Sequence, residues 1–142
     1  MFGPALGRMH PLRLKGGDVT YLYLFIGGGL GTLMRHGVGR FAYAQWGAGF
    51  PAGTMIINIV GSLVMGLVAG WFVQHEGSSN TLRLFLMTGV LGGFTTFSAF
   101  SLDAITLWQR HDYGMATFYV LGSVAVSLLG LVAGLAIMRA VG

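Results

Sequence analysis

Residues 92–101 read Gly-Gly-Phe-Thr-Thr-Phe-Ser-Ala-Phe-Ser and lie inside a longer segment, 84–102, that contains no Asp, Glu, Lys or Arg. Adjacent glycines weaken a helix, and hydroxyl side chains are costly in hydrocarbon unless a neighbouring group forms a hydrogen bond with them. Broken backbone at membrane depth is tolerated only where it is buried in protein or lines a water-filled cavity. The stretch therefore predicts an ion-binding break in a membrane helix.

The composition of the whole chain is that of a membrane protein. Of its 142 residues, 54% are hydrophobic and only 8% are charged, whereas soluble globular domains carry about 25% charged residues. The chain has no cysteine, which excludes disulfides, thiolate catalysis and cysteine-ligated metals. The net charge of +4 is spread over loops and ends, without the basic cluster that indicates nucleic-acid binding.

Long apolar segments account for most of the chain. Asp, Glu, Lys and Arg are absent from 41–75, 84–102 and 113–138, and a further apolar segment begins at Val19 and meets its first charge at Arg35. About 20 apolar residues suffice to cross a bilayer. We therefore predict an all-α membrane protein with four transmembrane helices, the third of them broken, over about residues 20–39, 52–74, 82–108 and 115–138.

The amino-terminal residues differ from the rest of the chain. They are polar and basic, with Arg8, Arg13 and Lys15, and we predict a flexible lead-in over residues 1–18. Residues 19–142 are predicted to form a single four-helix membrane domain, because this length leaves no room for a second domain.

Small and polar residues recur at four-residue steps along the other three spans, so each predicted helix carries them on one face. In the first span they are Gly27, Gly31, Arg35 and Gly39. In the second span they are Thr54, Asn58, Ser62, Gly66 and Gly70. In the fourth span they are Tyr119, Ser123 and Ser127, followed by Gly130 and Gly134. If such faces converge, they form a narrow path lined by hydroxyl groups.

Several polar side chains have a structural interpretation beside the functional one. Arg35 is either a cation that reaches toward water near a helix end or the entrance of an anion path. Asn58 either joins neighbouring helices by hydrogen bonds or lines the path. Asp103 lies near the end of the third span, where a solvated carboxylate is expected. The four histidines are scattered without the spacing of a metal site, so none is assigned a role.

The charges that flank the spans specify orientation only weakly. Loops rich in Lys and Arg stay on the cytoplasmic side of the membrane. One side of this chain would hold Arg8, Arg13, Lys15, Arg83 and Arg139. The other side would hold Arg40 and Arg110. Without the lead-in, the two sides carry equal numbers of arginines. The chain is therefore predicted to insert in both orientations.

The chain resembles the fluoride channels of the CrcB/Fluc family over about residues 20–140. The resemblance is carried by Gly31–Arg35 in the first span, by Gly53, Thr54 and Asn58 in the second, and by residues 92–101 in the third. It implies a passive, fluoride-selective channel that exports fluoride from the cytoplasm, lowers its toxicity and lies in the bacterial inner membrane.

The resemblance also implies an assembly. The chain would form an antiparallel, dual-topology homodimer in the lipid bilayer, with two pores and one structural Na⁺ at its centre. By position, the sodium ligands would be the backbone carbonyls of Gly92 and Thr95. Two residues depart from the family pattern, since Ala99 stands where threonine is usual and Asp103 stands where glutamate is expected.

The implied pore residues follow by position. They are the amide of Asn58, the rings of Phe97 and Phe100, and the hydroxyls of Ser123, Ser127, Thr54 and Tyr119, with Arg35 as a cation at the entrance. Fluoride is strongly hydrated, so donors must replace its water. An aromatic ring has a positive edge, and the two phenylalanines are therefore predicted to meet the anion edge-on instead of serving only as core packing.

Three other functions compete with a channel. A dual-topology small-molecule exporter needs a membrane-embedded acid, and the only one in the first three spans is Asp103, near a helix end. An intramembrane enzyme needs paired carboxylates, a histidine metal site or a serine paired with a base, and the spans contain no such set, so no enzymatic activity is predicted. A packing protein would explain the 25 glycines but not the faces rich in hydroxyl groups.

Overall fold

The computed structural model describes residues 16–75 and 77–142, and this part of the chain contains helices and no strand. Helices α1 (Gly16–Trp46) and α2 (Ala52–Gln74) come first. They are followed by α3 (Asn80–Arg83), a π-helical segment (Leu84–Leu91), α4 (Gly92–Phe94), α5 (Phe97–Gln109) and α6 (Tyr113–Val141). The elements from α3 to α5 follow one another closely and form a single interrupted helix.

Three stretches within the described residues are long and apolar enough to cross a membrane: Ala52–Gln74, Asn80–Gln109 and Tyr113–Val141. They coincide with the second, third and fourth predicted spans to within a few residues at each end. Helix α1 is not among them, because its arginines, histidine and many glycines lower its hydropathy. The apolar helices agree with an integral membrane protein, and the first span stays a prediction.

Helix α1 is longer than predicted at both ends. The sequence predicts that the first span ends near residue 39, but α1 continues to Trp46, since residues 41–46 contain no glycine or proline to end it. Gly47 then takes a positive φ of 69°, and its amide bonds to the Tyr43 carbonyl at 2.8 Å. This left-handed glycine is a common way to close a helix. At the other end, α1 begins at Gly16, and residues 1–15 of the predicted lead-in lie outside the described residues.

Glycines bring the helices into close contact at two interfaces. Where α2 meets α6, a Cβ atom added at Gly66 would overlap the carbonyl oxygen of Leu131. Where α1 meets the interrupted helix, a Cβ atom added at Gly31 would overlap the carbonyl oxygen of Val90. Small residues allow this approach of backbones in membrane proteins. The glycines at these positions therefore serve helix packing.

The third helix is broken where the sequence predicts a break, but not at its glycines. Gly92 and Gly93 stay helical in α4, and the chain becomes extended at Thr95 (φ −78°, ψ 158°) and Thr96 (φ −153°, ψ 116°). Helical geometry resumes at Phe97. The interruption thus covers the two adjacent threonines and separates α4 from α5.

Large apolar side chains cover much of the outside. Phe25 is 80% exposed, Leu33 is 69% exposed and Phe97 is 78% exposed. The buried cluster is small by comparison and centres on Phe100, Leu107, Ala116 and Tyr119. Exposed apolar area of this extent marks a surface covered by lipid or by another chain.

Candidate ion-binding site

The amide side chain of Asn58, on α2, binds the backbone of the break. Its Nδ2 donates to the Thr96 carbonyl at 3.0 Å, and the Thr96 amide donates to Asn58 Oδ1 at 2.8 Å. The hydroxyl of Thr96 accepts a hydrogen bond from the Ala99 amide at 3.2 Å and so caps the first turn of α5. Asn58 therefore joins two helices, which was the structural alternative for this residue.

The break frees the two carbonyls that the resemblance assigns to sodium. In a continuous helix the Thr96 amide would donate to the Gly92 carbonyl, and the Ala99 amide would donate to the Thr95 carbonyl. Here the Thr96 amide donates to Asn58, and the Ala99 amide donates to the Thr96 hydroxyl. Freed carbonyls at the end of a broken helix are suitable ligands for a monovalent cation. These two carbonyl oxygens are therefore suitable ligands for Na⁺.

The two adjacent glycines have different surroundings. A Cβ atom added at Gly93 would lie 2.5 Å from the Gly28 carbonyl oxygen, so Gly93 is needed for packing against α1. The nearest atom to a Cβ at Gly92 is the Met87 carbonyl oxygen, at an ordinary 3.6 Å. The packing of this chain alone thus leaves room for a side chain at Gly92.

A cavity of about 340 Å³, which we call the inner cavity, lies beside the break. It is lined by Asn58, Gly61, Ser62, Met65, Thr95, Thr96, Phe97, Phe100, Ser123, Val124, Ser127 and Leu131. None of these side chains is ionisable. The hydroxyl oxygens of Ser123 and Ser127 are buried and have no hydrogen-bond partner among the described residues. A buried hydroxyl without a partner is costly, so each calls for a partner that the described residues do not supply.

The two phenylalanines of the inner cavity differ in burial. Phe100 is 8% exposed and packs on Tyr119 with 5.4 Å between ring centroids, whereas Phe97 is 78% exposed. Their own centroids are 5.5 Å apart, and the rings are inclined by 41°. Core packing therefore accounts for Phe100 in part, but not for Phe97.

A second cavity of about 350 Å³, which we call the vestibule, lies next to Thr96. Its polar lining residues include Arg35, Tyr43, Thr54, Asp103, Thr106 and Arg110. Arg110 Nη1 donates to the Ala48 carbonyl at 3.4 Å. Thr96 lines both cavities. The vestibule thus carries charged groups of both signs, while the inner cavity is neutral.

The side chain of Tyr119 is fully buried and lines neither cavity. Its hydroxyl donates to Asp103 Oδ2 at 3.2 Å, which links α6 to α5. Asp103 was expected to be a solvated carboxylate, and it combines this bond with a place in the vestibule wall. The hydroxyl of Tyr119 is therefore occupied by Asp103 and is not presented to the inner cavity.

The predicted pore residues thus separate into groups. The inner cavity brings together Asn58, Phe97, Phe100, Ser123 and Ser127, and the vestibule contains Arg35 and Thr54. Sequence reasoning missed Thr96, the residue that meets both cavities and pairs with Asn58. The signal that could have found it is its position at the end of the Gly-Gly-Phe-Thr-Thr run, where a broken helix must place its freed backbone groups.

Comparison with known proteins matches residues 22–135 to the family described as CrcB-like protein, Camphor Resistance (CrcB). A fluoride-specific ion channel FluC of Rhodopseudomonas palustris (strain BisB5) is 56% identical over 123 residues, which cover 87% of this chain and 99% of that protein. A protein of the same name from Methylobacterium nodulans is 55% identical over 121 residues, which cover 85% of this chain and 97% of that protein. The chain therefore belongs to the CrcB-like family.

Proposed function

We propose that this protein is a fluoride-selective passive channel that exports fluoride from the cytoplasm and lowers its toxicity. Its relatives are named fluoride-specific ion channels. The observation that carries the proposal is the neutral inner cavity, where Ser123 and Ser127 present buried hydroxyls without protein partners. Such hydroxyls can donate to an anion, and the neutral lining supplies no permanent counter-charge that would trap it.

The inner cavity offers donors that can replace part of the hydration shell of fluoride. An asparagine amide has two N–H donors, and Asn58 uses one of them on Thr96, so the second is free for the anion. Ser123 adds a hydroxyl, and the rings of Phe97 and Phe100 add positive edges. Helix α5 begins at Phe97, which places the positive end of its dipole at this cavity.

The vestibule acts as the entrance of the path. Arg35 is half-buried in its wall, and Arg110 lies at its rim. No ion pair involves either arginine among the described residues, so both cations can attract an anion from water. Thr54 lies in the same wall. The anion would then pass Thr96 to reach the inner cavity.

The channel works passively because the inner cavity has no carrier group. None of its lining side chains titrates, so a proton cannot be exchanged there for the transported ion. A small-molecule exporter would place an acid in such a cavity, whereas Asp103 lines the vestibule and accepts a bond from Tyr119. Fluoride would follow its own gradient and the membrane voltage.

The assembly that we propose is an antiparallel homodimer of four-span chains in the bacterial inner membrane. Helix α1, with 31 residues, is about 46 Å long and therefore long enough to cross a bilayer. Its exposed apolar side chains, such as Phe25 and Leu33, support contact with lipid. The exposed Phe97 and the open sides of both cavities leave faces that a second copy would complete.

A structural Na⁺ would lie where the breaks of the two copies meet. The carbonyls of Gly92 and Thr95 would hold it, two oxygens from each copy. The open space at Gly92 supports this arrangement, because a glycine that the chain does not need for its own packing can serve close approach of a partner. The cation would offset the repulsion between two anion paths that run close together.

The test is electrogenic efflux from proteoliposomes loaded with potassium fluoride or potassium chloride. After addition of valinomycin, we expect rapid loss of fluoride and little loss of chloride. Protein-free liposomes are the control for leakage of hydrogen fluoride. Equal rates for chloride and fluoride would contradict selectivity, and uptake of fluoride against its gradient driven by sodium would replace the channel by a symporter.

A further inference from the structure

We infer that Asn58 is a positioning residue for the cation site, because it holds the Thr96 amide away from the Gly92 carbonyl. The inference rests on the proposed sodium-bound dimer. It gives Asn58 a role beside its contact with the anion path: the same side chain lines the inner cavity and determines which carbonyls face the cation.

The helix breaks at the backbone amide that is hydrogen-bonded to the Asn58 side chain. The Thr95 amide still makes its helical bond to the Leu91 carbonyl, at 3.0 Å. The next amide, that of Thr96, is the one that Asn58 Oδ1 accepts, at 2.8 Å. The helix therefore ends at the amide that the asparagine holds, and the glycines before it keep helical geometry.

Both main-chain groups of Thr96 are satisfied by Asn58. Its carbonyl accepts from Nδ2 and its amide donates to Oδ1, so one side chain replaces partners that a regular helix would supply. A buried amide without an acceptor is costly. If the Asn58 oxygen is removed, the nearest acceptor along the chain is the Gly92 carbonyl, in the ordinary helical pairing.

That pairing would remove a ligand from the cation. Each copy would then present the Thr95 carbonyl alone, and the site would lose half of its oxygen ligands. The helices would still be held together where α2 packs against α6, because the close glycine contacts of that interface do not involve the break. Loss of Asn58 is therefore expected to weaken cation binding more than it weakens the fold.

The experiment compares thermal unfolding of the purified dimer in sodium chloride and in N-methyl-D-glucamine chloride, with sodium excluded throughout the second preparation. A ligand that binds only the folded state raises the unfolding midpoint, so the wild type should unfold at a higher temperature in sodium. In Asn58→Leu, and in Asn58→Ser, whose side chain is too short to reach Thr96, this difference should be much smaller than in the wild type. General destabilisation would lower both midpoints and leave the difference in place.

The matched control is Ser123→Ala, which removes a hydroxyl from the same cavity without touching the break. It should retain the full sodium-dependent difference. The inference is overturned if the wild type shows no such difference, or if either folded Asn58 variant keeps it. The measurement needs no ion flux, so a wild type that moves no fluoride but shows these sodium effects would refute the channel and leave the role of Asn58 standing.

Discussion

Two hydroxyl groups on α6 show how much the role of a residue depends on its partner. Tyr119 and Ser123 lie four residues apart and were predicted to serve the same pore. The Tyr119 hydroxyl donates to Asp103, whereas the Ser123 hydroxyl has no partner among the described residues. The first is a structural bond between helices, and the second is a free donor beside the inner cavity.

This difference predicts opposite effects of two small substitutions. Ser123→Ala removes a bond to an anion worth about 1.5–3 kcal/mol, so fluoride flux should fall about tenfold or more, with the unfolding midpoint unchanged or slightly higher. Tyr119→Phe should keep most of the flux but lose about 1 kcal/mol of stability. Proteoliposome efflux measures the fluoride flux, and thermal unfolding measures the stability. If Tyr119→Phe loses as much flux as Ser123→Ala, the tyrosine hydroxyl takes part in the pore after all.

The two phenylalanines of the inner cavity predict a second pair of effects. Phe97→Ile and Phe100→Ile each remove a ring edge, so both should greatly reduce fluoride efflux. Only Phe100 is buried, and the shape change in a packed core should cost about 1 kcal/mol there. Phe97→Ile should give the size-exclusion profile of the wild-type dimer. Normal flux in the folded double variant would show that the rings only fill space.

At the scale of elements, the interrupted helix is positioned by its contact with α1. Gly31 on α1 touches the backbone near Val90, and Gly93 touches the backbone of Gly28. These contacts leave no space for side chains, so the broken segment is held against a long, regular helix. A rigid neighbour of this kind keeps the freed carbonyls and the α5 terminus in fixed positions.

Alanine substitutions on α1 test this contact. Gly31→Ala should lower stability by about 1–3 kcal/mol, because the new methyl group overlaps the Val90 carbonyl. Gly29→Ala is the matched control, since no atom lies within 4 Å of its added Cβ and alanine favours a helix by about 1 kcal/mol. Thermal unfolding of both variants decides the matter. Equal midpoints would show that α1 does not pack as described.

At the scale of the whole molecule, the exposed apolar faces and the balanced arginines bear on assembly. Outside the lead-in, each end of the bundle carries two arginines: Arg83 and Arg139 at one end, and Arg40 and Arg110 at the other. Because the bias of Lys and Arg between the two sides sets the orientation of a membrane protein, such a balance specifies orientation only weakly. An antiparallel pair of copies is the assembly that uses both orientations.

Single cysteines test dual topology, because the chain has no cysteine of its own. Ser78→Cys lies between α2 and α3, and Gly114→Cys lies in the first turn of α6. A membrane-impermeant maleimide should label each site in intact cells to about half of the extent reached in permeabilised cells. The unsubstituted protein, which should not react, is the control. Labelling of one site only, and from one side only, would require a single orientation.

Much of this fold could be predicted from the sequence because hydropathy is a local property. Three spans, their ends to within a few residues and the break in the third follow from apolar length and from the Gly-Gly-Phe-Thr-Thr run. The extension of α1 to Trp46 was missed, although Gly47 is a readable stop signal.

What only the tertiary structure decided is which distant groups meet. Asn58 and Thr96 are 38 positions apart, and their pairing depends on how α2 packs against the interrupted helix. The same holds for Tyr119 and Asp103. The Tyr119 hydroxyl was predicted to line the pore, and it donates instead to Asp103 on another helix. The sequence by itself determined a membrane protein with a broken span and a set of polar groups. Packing divided that set between a neutral inner cavity and a charged vestibule, because hydrogen-bond partners across helices are chosen by contact and not by spacing along the chain.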